Sequence, residues 1–450
     1  GEYSFNNLNT GQSAIVRIKS SLIKTPVLGE ASWDMQVVDN TNSGAIYAID
    51  SSAFDIGTEN IVKNLTALSG WNISNNDYTA PRAAAPFHIL DRAYEMINKI
   101  VTADVDAVMP PVKLNWSIKN APANGEKALG LISTSHYING NLYILGLKDS
   151  DTDEYDGHVI LHELAHYFED QLSRADNIGG NHSGSDRLDM RVAFGEGFGN
   201  AWSGIISDDS FYRDSLDSKQ GVGFHIDVEG NNITNAGWYS EGSVQSILYD
   251  IYDTTNEAGD TISLGFAPIY NALIGAQKVT PAFTTIFSFG SAIKSENANA
   301  SSALNSLLAA QDIVGNTMDI YGSTETNNAG NQNVLPVYTA VAADGIASNE
   351  LCSIADFSPD KAGNKLSTFR FIRFAAEDSL NYRFTIAPSG IDVAQSDPIV
   401  FVYRNGAELE IVDKFNPGSA ESFTLLNTIA GTYTFAVSHY PNYFGKDTQA

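Results

Sequence analysis

The stretch HVILHELAHYFED occupies residues 158–170. Its centre, His162-Glu163-Leu164-Ala165-His166, fits the pattern H-E-x-x-H. Val159, Ile160, Leu164 and Phe168 are apolar at helical spacing, which predicts a helix over 157–172. On that helix His162 and His166 are four apart, so they share one face, one turn apart. Two imidazoles so placed can reach one Zn²⁺ at about 2.0–2.1 Å. Glu163 would stand beside the metal as general base for a water whose pKa zinc lowers to about 7. Two histidines and an acid on an otherwise apolar helix are costly to bury without such a purpose.

The third ligand decides the class. In the pattern H-E-x-x-H-x-x-G-x-x-H, residue 169 would be Gly and residue 172 His. Here they are Glu169 and Leu172, which excludes the metzincin type. The segment MRVAFGEGFGNAWSGII at 190–206 offers Glu196 on a following helix. Its neighbours Gly195, Gly197 and Gly199 are poor helix formers. Their cost is explained if the segment packs closely on the metal helix.

HELAH followed by GEGFGNAWS resembles the gluzincin metallopeptidases of the thermolysin-like clan. The fungalysin type, with G-E-G-W-S-D after a long loop, is the most similar. GWYSEGSVQSILYDIYD at 237–253 resembles that type's next helix, with its G-x-V-W-x-x-x-L-x-x-(L/I) pattern. The resemblance covers 155–255 well and 80–320 loosely. It implies zinc held by His162, His166 and Glu196, with Glu163 as base and acid in peptide-bond hydrolysis. Two positions depart from the family. Where its motif has an Asp that orients a ligand His, this chain has Asn200, which can accept from an imidazole N–H but adds no charge. The family stabilises the tetrahedral oxyanion with a His, or a His and a Tyr. The matching region here has Trp238-Tyr239, so the resemblance points to Tyr239, with His225 as the alternative.

The 450 residues exceed what one core usually serves, so two or three domains are expected. Residues 1–80 alternate short apolar runs with Asn, Gly and Ser and predict a β-rich region. APFHILDRAYEMINKIVTADV at 85–105 predicts a helix with Ile89, Ala93, Met96, Ile97 and Ile100 on one face, ended by Pro110-Pro111. VKLNWSI, GLISTSHYI and NLYILGL predict strands, with Asn139-Gly140 as a hairpin turn between the last two. Substrate is expected to add as a strand along NLYILGL. Helical patterns dominate 240–313, and GSTETNNAGNQN at 322–333 reads as a loop. FRFIRFA, LNYRFTIAP, PIVFVYRNG, ESFTLLNTI and GTYTFAVSHY predict a β-sandwich. That last region resembles the bacterial pre-peptidase C-terminal domain, which implies contact with matrix, carbohydrate or the enzyme itself. The expected fold class is α+β: a zincin-like catalytic domain over 81–345, a β-rich region over 1–80 and a sandwich over 346–450.

Lys and Arg number 26 against 53 Asp and Glu, a net charge of −27. That excess disfavours nucleic acid and anionic membrane as partners and suits a secreted, cell-surface or salt-exposed protein; a polypeptide substrate is what the resemblance implies. No apolar run is long enough for a transmembrane helix. Cys352 is the one cysteine, so zinc must be held by His and carboxylate. GEYSFNNLNTGQS reads as a processed start. DSDTDEYDG places Asp149, Asp151 and Asp153 at alternate positions, like the start of a Ca²⁺ loop, but lacks the Gly at place six and the Glu at place twelve. The favoured reading is a solvated run helping the next helix begin. The rival functions are an adhesion protein with a vestigial zinc site and a zinc hydrolase of non-peptide bonds.

Overall fold

Asn139 and Gly140 take φ of 48° and 74° and close the expected hairpin, since two left-handed residues match the twist of the flanking strands. The computed structural model describes residues 3–230, 232–254, 260–358, 360–390 and 393–447. Helices and several sheets make the chain α+β. It divides into two compact units, 1–167 with 211–226, and 168–210 with 227–450.

The first unit holds a six-stranded mixed sheet. Its strands are β1 (Ser21–Lys24), β2 (Ser32–Asp39), β3 (Ala45–Ile46), β4 (Val108–Trp116), β5 (His136–Ile138) and β6 (Asn141–Ile144). The order is β5-β6-β4-β2-β1, with β3 on β2. β4 runs parallel to both β2 and β6, so a crossover is needed between β2 and β4. Helix α1 (Ala85–Ala103) supplies it, burying Ile89, Ala93, Met96, Ile97 and Ile100. β1, β2 and β3 share this sheet with β4, β5 and β6, so residues 1–80 are not a separate β-rich region.

Two expectations need correction. Pro110-Pro111 does not end α1. It lies inside β4, where the pairing shifts between Met109 and Val112, and such a bulge tolerates residues that lack an N–H. The strand-addition site cannot be β6, because β4 and β5 pair with its two sides. The end strand of the sheet on that side is β5.

A second, four-stranded sheet joins β7 (Gly146–Leu147), β8 (Asp151–Thr152), β9 (Phe211–Leu216) and β10 (Val222–Asp227) in that order. Just after β8, Glu154 is fully buried and ion-paired with Arg82, with Trp116 Nε1 at 3.4 Å. Its backbone carbonyl lies 2.8 Å from His88 Nδ1 on α1. These bonds pin the approach to α2 (Gly157–Gln171), the helix read from the sequence.

The second unit contains α3 (Met190–Ser207), α4 (Glu241–Tyr252), α5 (Phe266–Ala272), α6 (Ile286–Glu296) and α7 (Ser301–Ala310). α3 is buried from Met190 to Ile206, which explains its nearly all-round apolar and glycine composition. A Cβ on Gly197 would stand 2.5 Å from Glu241 O, and one on Gly195 would stand 2.5 Å from Asn177 Nδ2. These two glycines thus admit α4 and the Asn177 loop, a different purpose from the one read in the sequence.

The C-terminal strands are β11 (Tyr338–Val341), β12 (Phe369–Ala376), β13 (Tyr382–Ile386), β14 (Pro398–Arg404), β15 (Ala407–Val412), β16 (Glu421–Leu425) and β17 (Gly431–His439). They form a sheet in the order β11-β12-β17-β14-β15 and a smaller pair, β13-β16. Phe384 of the pair packs 5.0 Å from Phe374 and 4.8 Å from Phe435 of the larger sheet, so the sandwich has its own aromatic core. It is also joined to α3. The Arg191 guanidinium lies about 5 Å from the rings of Phe283, Phe369 and Phe371.

Candidate metal centre

α2 brings His162 and His166 together as their spacing requires. Their Nε2 atoms are 3.1 Å apart, with the rings edge to face. Two nitrogens bound tetrahedrally to one zinc at about 2.0–2.1 Å would be separated by about 3.3–3.4 Å. One ligand atom each from His162, His166 and Glu196 lies within 4.8 Å of the other two. Two imidazoles and one carboxylate match the donor set of a catalytic zinc, with a fourth position left for water or substrate. The residues therefore fit the metal that the sequence resemblance implies. Glu163 follows His162 directly and is 9 % exposed.

Glu196 is held from two sides. Asn177 Nδ2 donates to its Oε1 at 2.8 Å. His182 Nε2 is 3.2 Å from its Oε2, and His182 Nδ1 is 2.7 Å from Oε2 of Glu241 at the start of α4. Burial alone would lower the His182 pKa, but Glu196 and Glu241 outweigh it and raise it to about 11. From sequence alone a surface position is favoured for His182 over the cleft, because a histidine in an irregular loop has no period to set its direction.

The loop carrying His182 is fastened by the segment before β12. Asn364 is fully buried and its Nδ2 donates to the carbonyls of Gly179 and Asn181, at 3.0 and 3.2 Å. Lys365 Nζ also reaches Asn181 O, at 2.7 Å. Asn364→Ala would remove that donor from two partly buried carbonyls and leave Asn181 O to Lys365 alone. We expect a loss of about 1–3 kcal/mol, read as a lowered midpoint in urea unfolding.

Asn200 donates from Nδ2 to Gln245 Oε1 at 3.0 Å, which fixes its amide and leaves Oδ1 as the accepting end. Tyr239 is buried, and its hydroxyl is 3.1 Å from Asn327 Oδ1 and 3.2 Å from Ala236 O. His225 is exposed on β10, with its ring against Phe211. Tyr212 of β9 was not singled out in the sequence. Its ring centre lies 6.1 Å from that of His162 and 5.9 Å from that of His158. Burial, followed by the charges of Asp214, Glu163, Asp153 and Asp156, pushes its hydroxyl pKa well up.

A family described as the mycolysin C-terminal domain matches residues 113–307, somewhat under half of the chain. The match links this region, which contains α2 and α3, to a mycolysin-type peptidase family. No curated protein and no solved structure matches the chain. Among the described residues no helix is long and apolar enough to cross a membrane.

Proposed function

We propose that this protein is a secreted zinc endopeptidase of the gluzincin type, with a zincin-like catalytic domain that includes the β1–β6 sheet and α2 to α7, and with the C-terminal sandwich as an accessory module. The observation that carries the reading is the convergence of His162, His166 and Glu196 beside Glu163. The match to a mycolysin domain over the same region supports it. His162, His166 and Glu196 would hold the zinc. When bound, zinc supplies Lewis acidity, lowering the pKa of a water to about 7 and polarising the scissile carbonyl.

Glu163 accepts the proton of the attacking water and returns it to the leaving amine nitrogen. Asn200, its amide fixed by Gln245, offers Oδ1 to a ligand imidazole. For the oxyanion, Tyr239 is poorly suited because its hydroxyl is engaged with Asn327 and Ala236. His225, exposed on β10, stays the alternative. His182 orients Glu196 instead, because Glu196 and Glu241 engage both of its ring nitrogens. β5 is the end strand along which a peptide would add.

The test is metal analysis of the purified protein together with cleavage of a denatured polypeptide, with and without a chelator. One zinc per chain and cleavage abolished by chelation and restored by zinc are expected. Zinc present with no cleavage of any polypeptide would overturn the reading in favour of a structural zinc or a non-peptide substrate.

A further inference from the structure

We propose that Asp151, Asp153 and Asp214 bind a calcium ion that fastens β8 and β9 to the entry of α2. The proposal does not depend on the peptidase reading. Contrary to the expectation from sequence, the acidic run before α2 is not a solvated face, because Asp153 is 3 % exposed and its neighbours Asp151 and Asp156 are partly buried. The run also does not act alone. β9 brings in Asp214, far along the chain, through the pairing of Asp151 with Leu216.

One carboxylate oxygen from each of Asp151, Asp153 and Asp214 lies within 4.8 Å of the other two. Calcium binds oxygen at about 2.3–2.6 Å, so ligand oxygens lie at most about 5 Å apart across it. Oδ1 of Asp151, of Asp153 and of Asp214 is buried with no hydrogen-bond partner, which is one free oxygen on each of the three. Asp153 places its other oxygen on Ser135, and its carboxyl lies within hydrogen-bond reach of that of Asp151, as in two acids that share one site. Nearby carboxylates are already satisfied. Asp156 accepts from Ser215 N and Oγ, and Asp149 Oδ1 accepts from Ser218 Oγ and Lys219 N. Among the described residues no Lys, Arg or His forms an ion pair with any of the three.

Buried acceptors without donors are costly, and three acids together are costlier still. Burial first, then neighbouring carboxylates, raises Asp214 to about 7 and Asp153 well above the ordinary range. Protons shared between the acids would relieve the repulsion at low pH. Above neutrality a hard divalent cation relieves it. An all-carboxylate donor set selects such a cation over zinc, and ligands drawn from two separate segments suit calcium's tolerant geometry better than magnesium's strict octahedron.

The consequence reaches the metal helix. Asp156 N bonds Asp153 O at 3.0 Å immediately before α2, and Tyr212 of β9 lies against His162. A cation on Asp153 and Asp214 would therefore hold both the start of α2 and the ring beside His162.

The test uses the full chain carrying Glu163→Gln, stripped of divalent ions and reloaded with zinc, so that self-digestion does not enter. Binding and melting are read, not cleavage, so a failed peptidase reading leaves the result intact. Calcium should bind at one equivalent by equilibrium dialysis, with no loss of zinc. At a hundredfold excess over Kd it should raise the melting temperature by about 5–10 °C, and magnesium should do less. Terbium excited through nearby Tyr212 should luminesce and be displaced by calcium, a signal that needs no further variant. Asp153→Asn and Asp214→Asn, each relieving repulsion in the ion-free fold, should lose the calcium equivalent and the shift while keeping their helical circular dichroism. No calcium retained at about 1 mM free ion, the weak end for extracellular modules, would overturn the proposal. So would calcium uptake undiminished in both variants, or terbium luminescence that calcium does not quench.

Discussion

Glu163→Gln should lower kcat by about 10²–10⁴-fold while leaving one zinc per chain. Glutamine keeps the shape of the side chain and can still hydrogen-bond a water, but it cannot take a proton at neutral pH. The proposed ligands are His162, His166 and Glu196, so the substitution removes no donor from the metal. By transition-state arithmetic the loss corresponds to about 3–5 kcal/mol of barrier. KM should change little, because the group is called on as the proton moves and not when the peptide docks. Steady-state cleavage of a quenched peptide, paired with zinc analysis of the same preparation, reads both quantities. Activity within tenfold of the parent with zinc in place would remove Glu163 from the proton transfer.

Glu196→Gln would make a useful contrast. It keeps the shape of the third ligand and removes its charge, so zinc content and not kcat alone should fall. The two substitutions separate a carboxylate that holds the metal from one that moves a proton. The hydrogen bonds to Glu196 from Asn177 and His182 show why the distinction can be drawn, since that carboxylate is oriented by neighbours of its own.

How far the sequence reached depended on the range of the interaction. The α1 face of Ile89, Ala93, Met96, Ile97 and Ile100 obeys a local period, and the period alone predicts its burial. The turn at Asn139-Gly140 is decided by two residues. The facing pair His162 and His166 needs only a helix. Readings that needed long-range pairing fared worse. That β6 lies inside its sheet follows from β4 pairing beside it in parallel, and nothing in NLYILGL announces a neighbour on either side. Asp214 joins Asp151 and Asp153 only because β9 pairs with β8, so the acidic run looked like surface. His182 turns towards Glu196 because Asn364, on a distant segment, ties its loop. No spacing rule links those three residues. A long-range contact is likewise hidden near 346, where the sandwich is expected to begin. A change in composition is visible there, but the aromatic side chains of β12 that surround Arg191 are not recognisable as α3's neighbours until the chain is folded.

Asp189→Ala should cost about 3–5 kcal/mol of stability, the largest loss we expect from a single substitution outside the metal centre. Asp189 and Arg191 are 3 % and 2 % exposed. Asp189 Oδ1 accepts from Arg191 Nε at 2.9 Å and Oδ2 accepts from NH2 at 3.0 Å. The same carboxylate caps α3 by accepting from Arg191 N at 3.0 Å. Alanine would leave a buried guanidinium against the rings of Phe283, Phe369 and Phe371, with only the weaker influence of Asp176 and Tyr403 to offset its charge. A cation over an aromatic face gains about 2 kcal/mol at most when desolvated, less than the charge costs once its partner is gone. Loss of the cap adds about 1 kcal/mol, though the two effects share one side chain and will not sum cleanly. The double substitution Asp189→Ala with Arg191→Met separates them. Methionine is apolar, adaptable and at home among aromatic rings, so the doubly substituted chain should regain most of the loss and keep only the cap's share. Urea unfolding of both variants gives the comparison. A loss under about 1 kcal/mol for Asp189→Ala would mean that Arg191 escapes to water, and the link between α3 and the sandwich would then be packing alone. A loss of the expected size, recovered in the double variant, would show that the start of the helix carrying Glu196 is held by a charge pair enclosed by the C-terminal strands.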